Sequence, residues 1–318
     1  MNSHPVKGLH HVTAIASDPQ ANFHFYTQTL GLRLVKKTVN FDDPTAYHLY
    51  FGDGTGSPGS LITFFYWADA ARGTVGAGQA TALSFSVAPD ALNFWQERLN
   101  RLGVPVTRHH RFGEETLSLQ DPDGIPVEIV AVAVDNRIGW ATSEISAELA
   151  LRGMHTTEFT VRDGASIEKL LTHTLDYTLV RREGDRARFE ASPGGSGRYA
   201  DIVVSPKGPR GIGGAGTIHH VAFRVPTDAD ELSILKRIEA TGLRASPVMD
   251  RNYFHSVYFR EANGILFEIA TDTPGFAIDE PASSLGSHLK LPDRFEPYRT
   301  EIENALPPLG ATTTSNST

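Results

Sequence analysis

One phrase of this chain occurs twice. "GLHHVTAIASD" spans residues 8–18 and "GTIHHVAFRVPTD" spans residues 216–228. Each reads as an alternating strand that runs into a helix start. Weaker copies follow the same pattern at "TALSFSVAPD" from Thr81 and "GMHTTEFTVRD" from Gly153. Such self-similarity constrains a fold more than composition does. Each repeat is one supersecondary unit, and it buries its apolar face only against its neighbours.

A helix follows each opening strand: "PQANFHFYTQTL", "ALNFWQERLNRLG", "ASIEKLLTHTLD" and "ADELSILKRIEATG". Asp18 or Ser17 is placed to cap the first helix, Pro19 stands at its first position, and Gly31 stops it. β-rich sequence closes each round. The chain is therefore expected to be α+β, with four βαβββ modules paired into two domains. The expected boundaries are 8–134 for modules one and two and 150–275 for modules three and four, divided at "DNRIGWATSEISAEL". Residues 276–318 form an extension whose end, "PPLGATTTSNST", lacks apolar periodicity and is expected to be disordered. The glycines of "SPKGPRGIGGAGT", between modules three and four, suggest a mobile loop.

The formal charge of -8 and the lack of a basic run argue against nucleic acid as a partner. No apolar run approaches the ~18 residues of a membrane span, and the first residues lack the apolar core of a signal peptide. A cytoplasmic homo-oligomer is expected. The chain has no cysteine and 13 histidines. Thiolate sites and cysteine catalysis are excluded, so any metal must be held by His, Asp or Glu.

Strand side chains alternate between faces. In "HHVAFRV", Val221, Phe223 and Val225 share an apolar, helix-facing side, and His220 points the other way. In "HHVTAIA", His11 likewise faces away from Val12. His10 and His219 sit at the strand entrances, where direction is open. In "ILFEIA", Ile265, Phe267 and Ile269 face the helix, and Glu268 shares the opposite face with Leu266 and Ala270. A carboxylate in so apolar a run is costly unless paired or metal-bound. Two imidazoles and one carboxylate make a set that leaves open positions on a metal and suits non-haem Fe(II) chemistry.

These residues carry a resemblance. The βαβββ repeat with candidate ligands on its strands resembles the vicinal oxygen chelate superfamily, which includes glyoxalase I, bleomycin-resistance proteins and extradiol dioxygenases. "LGLRLVKKTVNFDDP", "GTIHHVAFRV" and "YFREANGILFEIATDTPGF" look like the hydroquinone-type ring-cleaving dioxygenases, over about Gly8 to Gly275. The resemblance implies curved mixed sheets and an Fe(II) ion, with Mn(II) as the alternative, held by His11, His220 and Glu268. It implies a small aromatic diphenol and O2 as partners. His10 and His219 lie behind the ligands as proton-handling residues, and Arg251 and Tyr258 match the family's Arg and Tyr ahead of the final strand. These last two have opposite strand parity, so a turn or bulge must separate them.

Other readings stand beside this one. A catechol-type extradiol enzyme would use His155 in place of His11. A glyoxalase-type isomerase or thiol transferase would show no O2 dependence, and a metal-free resistance protein would need no triad. His155 and Glu128 together read as a vestigial, empty second site. His109 and His110 read as a solvated strand end, and His255 as facing the pocket mouth. His24, His48 and His173 read as surface or packing residues. Tyr47, Tyr50 and Phe64 read as core or pocket aromatics.

Overall fold

The computed structural model describes residues 4–67 and 69–309. Module one comprises β1 (Leu9–Ala16), α1 (Pro19–His24), β2 (Arg33–Val39), β3 (Tyr47–Gly52) and β4 (Leu61–Tyr66). Module two comprises β5 (Gln79–Val87), α2 (Ala91–Arg101), β6 (Thr107–Arg111), β7 (Glu114–Gln120) and β8 (Pro126–Ala131). Module three comprises β9 (Met154–Val161), α3 (Ala165–Lys169), β10 (Tyr177–Glu183), β11 (Arg186–Ala191) and β12 (Tyr199–Val204). Module four comprises β13 (Thr217–Val225), α4 (Asp228–Ala240), β14 (Met249–Asp250), β15 (Phe254–Arg260) and β16 (Leu266–Pro274), and a last helix, α5 (Arg299–Ala305), follows.

The four modules share one topology. In each, the first and last strands lie side by side and parallel, and the remaining pairs are antiparallel. Two mixed eight-stranded sheets result. One runs β14-β15-β16-β13-β1-β4-β3-β2 and the other β10-β11-β12-β9-β5-β8-β7-β6. Modules one and four thus share a sheet through the β1–β13 pair, and modules two and three share the other through β5–β9. The division at residues 135–149 marks halves of the chain, and each half gives one module to each sheet.

Local sequence explains the elements. Asp18 caps α1, its carboxylate accepting from the Gln20 and Ala21 amides at 2.8 and 3.0 Å. Gly31 ends the turn after α1 at φ +70, where a Cβ would stand 2.5 Å from Ile145 Cδ1. The helix-facing residues Val221, Phe223, Val225, Phe267 and Ile269 are buried with Ile234 and Ile238 of α4. β10 has no strand signal in its sequence because it is an edge strand, exposed along nearly its whole length. Without a buried face there is no alternation to read.

The glycine-rich linker between modules three and four is paired. Thr74 and Ile212 exchange backbone hydrogen bonds at 2.8 Å in both directions. A Cβ on Gly76 would lie 2.6 Å from Pro209 O, and one on Gly214 would lie 2.3 Å from Ala71 O. The glycines here permit close backbone approach. The extension folds back over β2, where buried Lys36 reaches Asp279 at 2.6 Å and Glu280 at 2.5 Å. The end of the tail, from residue 310, lies outside the described residues.

Candidate metal centre

The β1–β13 pair builds the site. Leu9 pairs with Phe223 and His11 with Ala222, so His10 is the extra residue of a bulge. On the other strand, Thr13 pairs with His220 and Ala14 with Ile218, so His219 is extra. A bulge re-aims side chains and strengthens local twist. Here it brings both members of each pair together: His10 Nδ1 lies 2.8 Å from His11 Nδ1, and His219 Nδ1 lies 2.7 Å from His220 Nδ1. Each contact engages one ring nitrogen and leaves Nε2 of His11 and His220 for another partner. Outer partners of metal-binding imidazoles fix tautomer and ring orientation in this way.

The two free Nε2 atoms converge 3.4 Å apart. Glu268 Oε2 lies 3.2 Å from His11 Nε2 and 2.9 Å from His220 Nε2. Glu268 is fully buried, and Ser256 Oγ donates a short hydrogen bond to its Oε1. Burial alone would raise the Glu268 carboxyl, but His11 and His220 override it and hold the group well below its usual range. Burial, partly offset by Glu268, pushes His220 down.

Oε2 of Glu268 accepts no hydrogen bond despite its burial. Neither imidazole aims a donor at it, although both rings lie against it. Three donor atoms crowding one point, with an orphaned anionic oxygen among them, fit a cation. His11, His220 and Glu268 form the one group of metal-ligand type among the described residues, with ligand atoms within 4.8 Å of one another. Two nitrogens and a carboxylate oxygen suit a divalent transition metal such as Fe or Mn.

Beside the triad is a cavity of about 330 Å³ with Phe41, Phe65 and Trp67 among its walls. Arg251 and Tyr258 both line it. The turn between them, with Asn252 at φ +64, and the β15 irregularity at Phe254–Ser256 reconcile their parity. Arg251 Nε donates to Tyr258 Oη at 3.1 Å, and Arg251 Nη2 reaches Asp42 at 3.3 Å. Burial, then Glu268, push the Tyr258 hydroxyl up, so it stays protonated. His219 is half-buried in the wall, and burial with His220 beside it holds it down at about 3. His10 is sealed, its ring edge-on to Phe254 at 5.0 Å.

Other candidates fall elsewhere. His48 lines the cavity, bonded to Thr63 and Tyr50, where the sequence suggested surface or packing. Tyr50 also lines it, and Tyr47 and Phe64 belong to the core. His24, His110 and His173 are exposed. His109 is half-buried, 4.0 Å from Glu128. His255 pairs with Asp228 of α4 at 2.9 Å and is no part of the cavity wall.

The rival triad does not form. In the β5–β9 pair, Leu83 faces Thr157 as Val12 faces Val221, and His155 is the bulged residue. His155 thus corresponds to His219, not His220, and the ligand positions hold Ala82 and Thr156. His155 Nε2 lies 3.1 Å from Glu114 in the second sheet. Glu128 does match Glu268, but Arg111 pairs with it at 2.9 Å. The doubled histidine was the one sequence signal of the bulges. Ser256 carried none.

Paired βαβββ modules around a two-histidine, one-glutamate centre define the class, and comparison agrees. The profile of the Glyoxalase/Bleomycin resistance protein/Dioxygenase superfamily matches residues 8–129 and 153–269, and the chain belongs to that superfamily. It is 44% identical over 301 residues to "Putative ring-cleaving dioxygenase MhqO" of Bacillus subtilis, covering 95% of this chain and 96% of that one. It is 34% identical over 307 residues to chlorohydroquinone/hydroquinone 1,2-dioxygenase of Sphingobium indicum, covering 93% and 95%. A solved Bacillus subtilis structure, 42% identical, superposes with a TM-score of 0.94 and covers 98% and 99%. Among the described residues no helix is long and apolar enough to cross a membrane.

Proposed function

We propose that this protein is a ring-cleaving dioxygenase that opens a hydroquinone or related substituted diphenol with O2, using Fe(II) at His11, His220 and Glu268. The observation that carries the reading is the buried triad, with its orphaned Glu268 oxygen, beside an aromatic-walled cavity. The relatives' printed names support the reaction and substrate class. Such an ion supplies a path for charge from an electron-rich ring to O2.

The chain's own residues do the rest. Phe41, Phe65 and Trp67 suit the faces of an aromatic ring. His219 lines the cavity and touches His220, which places its imidazole to pass a proton to or from a substrate oxygen. His10 makes the same contact with His11 but stands outside the cavity, against Phe254. Arg251 offers a fixed positive charge to anionic oxygen. Tyr258 accepts from Arg251, which leaves its own proton for an oxygen of the substrate.

The test is anaerobic loading with Fe(II) or Mn(II), then oxygen uptake with a panel of substituted hydroquinones and matching catechols. Iron-dependent uptake with higher kcat/KM for the hydroquinone is expected. A preference for catechol by about tenfold or more, the scale of an unpaired polar anchor, overturns the hydroquinone assignment. No uptake with either overturns the dioxygenase reading.

A further inference from the structure

The cavity holds a second tyrosine, placed as the counterpart of Tyr258. Tyr258 pairs with Glu268 across β15 and β16, and Tyr50 pairs with Thr63 across β3 and β4. Thr63 occupies the position in module one that Glu268 occupies in module four, since Thr13 faces Thr63 as Ala222 faces Glu268. The tyrosines are therefore related by the pseudo-symmetry of the sheet, and both line the same cavity.

Their hydroxyls are committed differently. Tyr258 Oη accepts from a guanidinium, which only donates, so the Tyr258 proton is not spent on Arg251 and is available to the cavity. Tyr50 Oη lies 2.9 Å from His48 Nδ1, His48 Nε2 lies 2.9 Å from Thr63 Oγ1, and Thr63 Oγ1 lies 2.7 Å from Thr13 Oγ1. Every member of that chain can donate or accept. With one His48 tautomer Tyr50 gives its proton to Nδ1 and offers an acceptor. With the other it takes a proton from Nδ1 and offers a donor. A singly ionised diphenol presents one oxygen that only accepts and one hydroxyl that does both.

We propose that Tyr50 binds the protonated hydroxyl of the substrate, with His48 as its positioning residue, and that Tyr258 serves the ionised oxygen. This rests on the diphenol reading. Burial, with Tyr258 and Glu268 nearby, also keeps the Tyr50 hydroxyl protonated. The second anchor makes a diphenol, and not a simple phenol, the ligand the cavity fits.

The test is anaerobic binding of hydroquinone and of phenol to the metal-loaded protein, followed by fluorescence quenching of Trp67 in the cavity wall. Tyr50→Phe should weaken hydroquinone about five- to hundredfold and leave phenol within about twofold of wild type. His48→Gln should lower the hydroquinone-to-phenol ratio in the same direction by less, because its amide still offers Tyr50 a partner, and it serves if Tyr50→Phe does not fold. Equal weakening of both ligands makes Tyr50 a packing residue and overturns the proposal, as does no change in either. A wild-type protein that quenches with neither ligand overturns this proposal and the diphenol reading together. Hydroquinone binding that is unchanged in Tyr50→Phe, with normal oxygen uptake, overturns this proposal alone.

Discussion

Ser256→Ala isolates what holds the anionic ligand in place. Ser256 is fully buried on β15, and its Oγ donates to Glu268 Oε1, the oxygen turned away from the histidines. The substitution removes one hydroxyl and leaves the triad chemically intact. It also leaves a buried carboxylate oxygen without its donor and frees the carboxylate to rotate about the axis that aims Oε2 at His11 and His220. Loss of such an outer partner lowers metal affinity ten- to hundredfold, or about 1.4–2.7 kcal/mol. The assay is anaerobic competition for Fe(II) against a chelator of known affinity, repeated with Mn(II), with circular dichroism to show that the fold persists. Affinity within about twofold of wild type, in a folded variant, would refute the idea that Ser256 orients Glu268.

Three further outcomes are expected. His11→Ala, His220→Ala and Glu268→Gln should each abolish bound metal by elemental analysis while His155→Ala retains it; the reverse for His11 and His155 would restore the catechol-type triad. His219→Ala should keep its metal and lose turnover by roughly a hundred- to ten-thousandfold, the range for a positioned acid–base group, with unchanged turnover removing it from the mechanism. Glu231 is buried on α4 with neither carboxylate oxygen hydrogen-bonded, and burial, then Asp228, raise it from 4.5 to about 7. The folded state binds that proton more tightly, so wild-type stability should fall from pH 4.5 to 7 by about 3 kcal/mol relative to Glu231→Gln, and parallel urea-unfolding profiles of the two would refute it.

The sequence made the modules legible because each buried strand has a face. Val221, Phe223 and Val225 alternate with His220 and Ala222, and the structure buries them against α4. Glu268 was legible for the opposite reason, as a charge where only apolar residues belong. What periodicity could not supply was register. A bulge shifts side-chain direction by one residue without changing composition, so the placements of His10 and His219, and the match of His155 to His219, emerge only from strand pairing. His48 and Tyr50 were ambiguous because β3 is buried on both faces. A strand with two buried faces gives no alternation by which to tell pocket from core.

The pseudo-symmetry also explains why the centre calls for a metal. Four positions are equivalent by register: Thr63, Glu128, Asp201 and Glu268, one per module. Three are carboxylates, and all three are buried. A buried carboxylate that stays ionised needs a compensating cation, whereas one without it takes up a proton, as Glu231 does. Glu128 has Arg111 at 2.9 Å, and Asp201 has Arg188 on both oxygens at 2.8 Å. Among the described residues, no Arg or Lys ion-pairs with Glu268, whose charged-type contacts are His11 and His220. The second sheet therefore answers the same electrostatic demand with arginine, and its ligand positions are free to hold Ala82 and Thr156. The first sheet keeps both imidazoles and no arginine, and a metal ion at its three donors would supply the charge it lacks.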